Sequence, residues 1–213
     1  MIAFKTPATR KTTYASSGFA RDVADILQRP STEMRLYSRS LIEGGMLPAS
    51  TATGAAAVAT EGARILAAAL GRQVRPASVV RVAGRILSME HQGDVENIGE
   101  PDERSAAAAS GETFEARLAR VLRDTWEATE RPSGPLPVPP GVTVTWNDGG
   151  AVLYGTIGMG SKITSVYSSA CIGELLALPG CWRSDAVGGA AFTTFALLGI
   201  AEHIRDAMRV DRR

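Results

Sequence analysis

Pro30 constrains this chain more than any other residue, because it interrupts a helical pattern that runs from Gly18 to Pro48. Before it, apolar residues recur at the spacing of one buried helical stripe: Ala20, Val23, Ala24 and Leu27. The residue before a proline is disfavoured in the α conformation, so the first helix should end there. Ser31 can cap a second helix, which Gly44 and Gly45 would close. Two helices across so short a turn predict a helix-turn-helix arrangement.

The second helix, residues 32–44, divides into an inner and an outer face at about 100° per residue. The inner face carries Met34, Ser38, Leu41 and Gly45, with Tyr37 at its edge. The outer face carries Thr32, Arg35, Leu36, Arg39, Ser40 and Glu43. Arginines flanked by hydroxyls suit a DNA major groove, where guanidinium groups reach guanine edges or phosphates. We therefore predict DNA contacts from Thr32, Arg35, Leu36, Arg39 and Ser40; the alternative is that these charges are merely solvated.

Residues 1–17 form a polar lead that contains Lys5, Arg10 and Lys11. As a flexible basic arm it could follow a phosphate backbone or enter a minor groove, although a disordered terminus with ordinary charge would have the same composition. After Pro48, where a winged protein would place its hairpin, residues 49–60 contain no lysine or arginine. That neutrality argues against a wing that contacts phosphates.

The charge of the chain is unevenly distributed. Over 213 residues the net charge is only +1. Residues 1–90 nevertheless hold 12 lysines and arginines against 6 acids, and residues 91–213 hold 11 against 16. The first half is therefore expected to meet an anionic partner. No apolar run approaches the roughly 20 residues of a membrane span, and the N-terminus lacks the apolar core of a signal peptide, so we expect a cytoplasmic protein.

The remainder predicts an α+β fold. Two further helices, 61–70 and 76–89, would complete a helix-turn-helix domain over residues 18–90. Residues 91–111 are polar and acidic and predict a linker. Residues 112–213 would then form an oligomerisation or effector domain. Its predicted elements are a long helix from 112 to 129, a proline-rich connector, strands within 142–146, 151–158 and 163–169, and a final helix from 190 to 208.

No catalytic, metal or nucleotide-binding motif is legible in the sequence. Cys171 and Cys181 are interpreted as buried thiols, and His91 and His203 are too distant from them in sequence for a metal-ligand spacing. The string YGTIGMGSK lacks the spacing of a phosphate-binding loop. We therefore predict no cofactor and no enzyme. A polar pocket between the sheet and the last helix would revive the possibility of small-molecule binding.

Three strings carry a resemblance to a known group of proteins. They are RSLIEGGMLP, TEGARILAAALG and GAAFTTFALLGIAEHI. The chain resembles winged helix-turn-helix-like regulators of α-proteobacterial genomes and phages. The resemblance implies a DNA-binding regulator of phage or prophage type, with Arg35 and Arg39 as its reading residues. The loop after the Leu-Pro pair in that group is typically basic and glycine-rich, whereas residues 49–60 here are neutral.

The sequence thus leads to two hypotheses from different classes. The first is a transcriptional regulator that binds double-stranded DNA as a homodimer, because two recognition helices one helical turn apart match a palindromic site. The second is a phage-derived structural or assembly protein that uses the same helices for protein–protein contacts. Near-zero net charge and the neutral loop favour the second.

Overall fold

A computed structural model of the chain describes residues 17–49, 55–72, 75–96, 111–130, 141–146, 153–159, 163–169, 188–192 and 199–200. Within these ranges the helices are α1 (Ser17–Leu27), α2 (Ser31–Glu43), α3 (Ala55–Gly71), α4 (Pro76–Leu87) and α5 (Phe114–Glu130). The strands are β1 (Glu90–Glu96), β2 (Gly141–Trp146), β3 (Leu153–Met159), β4 (Ile163–Ser168) and β5 (Gly188–Phe192). Helices combined with an antiparallel sheet confirm the α+β class.

The turn between α1 and α2 follows the predicted proline boundary. Gln28 takes a left-handed conformation, with φ 51°, and the Arg29 N–H donates to the carbonyl of Ala24 at 2.9 Å. The prediction that Ser31 caps α2 is wrong. Pro30 occupies the N-cap position without a side-chain cap, so Ser31 is the first helical residue. Proline is compatible with this place because its ring fixes φ near the observed −58°.

The predicted C-terminal end of α2 is confirmed. Gly44 is the C-cap residue, and Gly45 follows with φ 71°, a left-handed conformation that glycine adopts without a Cβ clash. The N–H groups of Met46 and Leu47 both donate to the carbonyl of Leu41, at 2.8 and 3.1 Å. These bonds satisfy the end of the helix and turn the chain towards α3.

α3 starts earlier than its sequence pattern predicted. The helix begins at Ala55, not at Glu61, so Thr60 lies inside it. The high helix propensity of successive alanines explains the extension. Residues 55–60, part of the predicted loop, are therefore helical, while residues 50–54 lie outside the described ranges. Leu66 and Leu70 are fully buried and place α3 at the centre of the helical layer.

The five described strands form one antiparallel sheet in the order β1-β4-β3-β2-β5. Strands β2 and β3 confirm the strands predicted within residues 142–146 and 151–158, and they pair with each other. Strand β1 corrects the start of the predicted linker, because residues 91–96 pair with β4; residues 97–110 of that linker lie outside the described residues. A bulge near Gly93, whose φ is +145°, lies within this polar edge strand. Bulges and charges are features by which edge strands avoid pairing with other chains.

The start of the predicted final helix is also corrected. Residues 190–192, expected to be helical, belong to β5 and pair with β2, so that Val142 lies opposite Phe192. Pairing with β2 outweighs the helical preference of Ala190 and Ala191. Gly199 and Ile200 are helical. Residues 193–198 and 201–208 of the predicted helix lie outside the described part of the chain.

Helices and sheet share one apolar core. Met89, Phe114 and Tyr167 are each fully buried, and the Phe114 and Tyr167 rings meet edge to face at 5.3 Å. Near the other end, a Cβ placed on Gly199 would lie 2.9 Å from Cγ2 of Ile26 in α1. Apolar contacts therefore cross the predicted boundary between residues 18–90 and 112–213.

Candidate nucleic-acid interface

The outer face of α2 is open over most of its length. Thr32 and Arg35 are exposed, and the Arg39 side chain is 81% exposed. Leu36 is half-buried and packs against the core at the edge of this face. The inner side is apolar, since Met34 and Leu41 are buried at 1% and 0% exposure. The described α2 therefore presents three of the five predicted helix residues fully to solvent.

Ser40 is a correction to the predicted interface. The residue is 3% exposed and so is not available to a groove. Helix α4 covers this side of α2: a Cβ placed on Gly44, one turn further on, would lie 2.7 Å from Cγ2 of Val80. The prediction placed Ser40 on the outer face from helical periodicity alone. Periodicity does not show which side of a helix a later helix will cover, so the prediction missed α4.

The two arginines of α2 are in different electrostatic states. Arg39 Nε lies 2.8 Å from Glu43 Oε1 in an exposed i,i+4 ion pair. Such pairs contribute only about 0.3–0.5 kcal/mol, so the guanidinium can exchange Glu43 for a phosphate at small cost. Arg35 forms no ion pair with any residue that the structure describes. Arg35 is therefore the more available cation of this face.

Arg64 fixes the chain that leaves α2. Its Nε lies 2.7 Å from Glu115 Oε1 on α5, and its Nη1 donates to the carbonyl of Met46 at 2.7 Å. The pair is about one-third exposed on each side. Charge-assisted bonds of this length are among the stronger polar contacts. They hold the turn after Gly45 against α3 and α5, and so fix the direction in which α2 faces.

Two further arginines act electrostatically on the inner edge of α2. Burial raises the pKa of the Tyr37 hydroxyl, and the Glu33 carboxylate raises it further. The positive charges of Arg29 and Arg72 lower the same pKa. Arg29 precedes α2 and Arg72 follows α3, so the sequence held no spacing that could have joined them. The sequence prediction missed both.

Residues 1–16 of the predicted basic arm, which include Lys5, Arg10 and Lys11, lie outside the described residues, and Ser17 begins α1. Cys171, Cys181 and His203 also lie outside them. The glycine-rich string near residue 155 is in part strand β3, and Gly155 points into the apolar core against Met89 and Phe114. Gly155 therefore allows β3 to pack closely against Met89 and Phe114.

A buried polar cluster lies elsewhere, where β1 and β4 meet the start of α5. His91 Nε2 is 3.0 Å from Asp94 Oδ1, and both side chains are less than 10% exposed. The His91 ring lies 5.3 Å from that of Tyr167, whose hydroxyl is buried without a hydrogen-bond partner in the described residues. Burial raises the pKa of Tyr167, and Glu112 raises it further. The sequence prediction missed this cluster because His91 stands in a polar segment without apolar alternation.

Replacing Tyr167 by phenylalanine tests that description. Because the folded-state pKa is raised above its ordinary 10.0, the folded state holds the neutral hydroxyl in preference to the phenolate, and the free energy of unfolding falls as the pH rises beyond 10.0. Tyr167→Phe should therefore make the alkaline fall in unfolding free energy shallower. At pH 7 it should match or exceed the parent by up to about 1 kcal/mol, since no hydrogen bond is lost. Urea denaturation at pH 7 to 11 measures both; a loss of more than 1 kcal/mol at pH 7 would show that the hydroxyl is bonded.

Some broader features of the described residues also bear on the site. No group of three or more metal-ligating side chains occurs among them. None of the helices within the described ranges is long and apolar enough to cross a membrane. Comparison with family models, with curated proteins and with solved structures gave no match to this chain.

Proposed function

We propose that the chain is a DNA-binding protein that places the outer face of α2 against duplex DNA. The observation that carries the proposal is Arg35, an exposed arginine without an ion pair in the described residues, beside Thr32 and Arg39 on one helical face. The opposite side of α2 is fixed by buried Met34 and Leu41. A fixed helix with an arginine on its open side is the arrangement that groove recognition needs.

Each residue of this face has a distinct role in the proposal. Arg35 contacts a guanine edge or a phosphate of the DNA. The hydroxyl of Thr32, near the start of α2, donates to a phosphate oxygen of the DNA backbone. Arg39 leaves Glu43 to pair with a phosphate. Ser40 takes no part, because it is buried beneath α4. Leu36 offers apolar contact to a thymine methyl group from the edge of the face.

The biological setting is part of the same proposal. The chain would act as a cytoplasmic transcriptional regulator of phage or prophage type. The excess of lysine and arginine in residues 1–90, which contain the proposed DNA-binding face, supports this role. A homodimer would bring two copies of α2 to a palindromic site. The Lys5, Arg10 and Lys11 arm would add contacts along the backbone or in a minor groove.

Arg35→Ala is the experiment that tests the proposal. Loss of a base or phosphate contact should weaken binding to a preferred duplex by about 1–3 kcal/mol, which corresponds to roughly 5- to 150-fold in Kd. Fluorescence anisotropy with labelled duplex measures the change. Arg123→Ala is the matched control, because Arg123 is a half-exposed arginine on a different helix, α5, and is already paired with an acid. Its Nη2 lies 3.4 Å from Asp124 Oδ1. Equal affinities for the parent and Arg35→Ala would remove α2 from the interface.

The Arg39–Glu43 pair specifically favours a second function, that of an assembly protein. An arginine already neutralised on its own helix suits a protein–protein contact, where an unpaired buried charge would be costly. A phage-derived structural or accessory protein would use α2 in this way. Sizing that shows a closed ring or higher oligomer, together with no DNA binding at low salt, would select it over the regulator.

A further inference from the structure

We propose that Arg29, Arg72, Arg75 and Arg81, which we call the lateral arginine surface, bind the phosphate backbone of the duplex beside α2. The inference rests on the proposed function, since it adds a second contact to the same DNA. It concerns residues on three different segments that only the fold brings together. Their role is to hold the duplex, whereas the outer face of α2 reads it.

Helix packing brings these segments to one side of α2. Val80 of α4 lies against the end of α2, with its Cγ2 2.7 Å from a Cβ built on Gly44. Val82, two residues further on, contacts the end of α3, with its Cγ1 2.8 Å from a Cβ built on Gly71. α4 therefore lies between α2 and the end of α3. Arg81, which stands between these two valines, is exposed.

The start of α4 continues the surface. Arg72 follows the last residue of α3 directly, and Arg75 is the N-cap residue of α4; both are exposed. Arg29, in the turn before α2, is half-exposed. Arg29 and Arg72 both lower the pKa of the same hydroxyl, that of Tyr37. Arg72 directly follows Gly71, which packs against Val82 of α4, so the end of α3 and the start of α4 continue the side of α2 that α4 covers.

The charge of this surface is not neutralised within the fold. None of the four arginines forms an ion pair with a residue that the structure describes. By contrast, Arg120 and Arg123 of α5 are both paired with acids. The Glu33 carboxylate has the opposite effect to Arg29 and Arg72, because it raises the pKa of Tyr37. Unpaired arginines beside an exposed helix complement a polyanion, and duplex DNA is the polyanion already proposed for that helix.

The experiment compares salt dependence of DNA binding among variants. Arg72→Gln, Arg75→Gln and Arg81→Gln should each reduce the slope of log Kobs against log salt by about 0.9, and the variant that combines all three should reduce it by about 2.7. The combined variant should lose affinity equally for unrelated duplex sequences, because phosphates carry no sequence information. Arg123→Gln is the control with an unchanged slope. Thermal melting of each variant verifies the fold, which exposed side chains should leave intact.

The outcomes separate this inference from the proposed function. If Arg35→Ala weakens binding while the combined variant keeps the parental slope, the lateral arginine surface is wrong and the α2 interface stands. If the parent binds no duplex at low salt, both fall. Glu33→Gln gives an opposite test: removing the carboxylate should tighten binding several-fold if DNA lies over this surface. Unchanged or weaker binding by Glu33→Gln would count against the surface.

Discussion

Phe114→Ala is expected to lower the free energy of unfolding by about 3–5 kcal/mol. The Phe114 ring is fully buried at the start of α5 and meets the Tyr167 ring of β4 edge to face at 5.3 Å. It also lies against Gly155 of β3. Truncation removes a contact between helix and sheet and leaves a cavity that neighbouring backbone cannot fill. Urea denaturation followed by circular dichroism measures the loss.

The same experiment tests whether helices and sheet unfold together. Because Phe114 contacts both layers, the variant should retain one cooperative transition at a lower urea concentration. Glu127→Ala, an exposed change on the same helix, should stay within about 0.5 kcal/mol of the parent. A loss below 1 kcal/mol for Phe114→Ala, or a sheet transition separated from the helical one, would contradict a shared core.

Gly155→Val is expected to destabilise the chain by about 3 kcal/mol or more, at the upper end of overpacking effects. A Cβ at Gly155 would lie 2.6 Å from Met89 Cε and 2.9 Å from Phe114 Cε2. Both neighbours are fully buried, so neither can move to solvent. A branched side chain therefore forces β3 away from α5. The midpoint of thermal unfolding should fall accordingly, with Gly155→Ala intermediate between the variant and the parent.

Gly84→Ala is the matched control for that change. Gly84 lies within α4, and a Cβ there would meet nothing within 4 Å. Alanine should therefore raise stability by up to about 1 kcal/mol through helix propensity. Opposite signs at the two glycines are the expected pattern. A tolerated Gly155→Val would show that β3 does not pack closely on Met89 and Phe114.

Local patterns were sufficient for much of the fold. The apolar stripe of α1, the glycines that end α2 and the alternating strands of the β2–β3 hairpin carry their information within a few neighbouring residues. Strand β1 does not, because its polar sequence becomes a strand through pairing with β4. Strand β5 likewise depends on β2. The secondary structure of these two segments depends on pairing with distant strands, which a polar or alanine-rich local sequence does not predict.

The candidate site shows the same division. The exposure of Thr32, Arg35 and Arg39 follows from the period of one helix, and the prediction of it is confirmed. The burial of Ser40 depends on where α4 packs, which one helix cannot reveal. Arg72 is separated from α2 by the whole of α3, so only the fold lets its charge lower the pKa of Tyr37. Sequence therefore predicted the face of α2 but not the arginines beside it.

Equilibrium binding of the unmodified protein to duplex DNA over a series of salt concentrations tests the central claim most directly. If the arginines of α2 and its neighbours meet phosphates, affinity should be measurable at low salt and log Kobs should fall linearly with log salt. Four or five phosphate contacts predict a slope of roughly −4. No binding at the lowest salt, or an affinity that salt does not change, would contradict the claim that this face of the molecule contacts DNA.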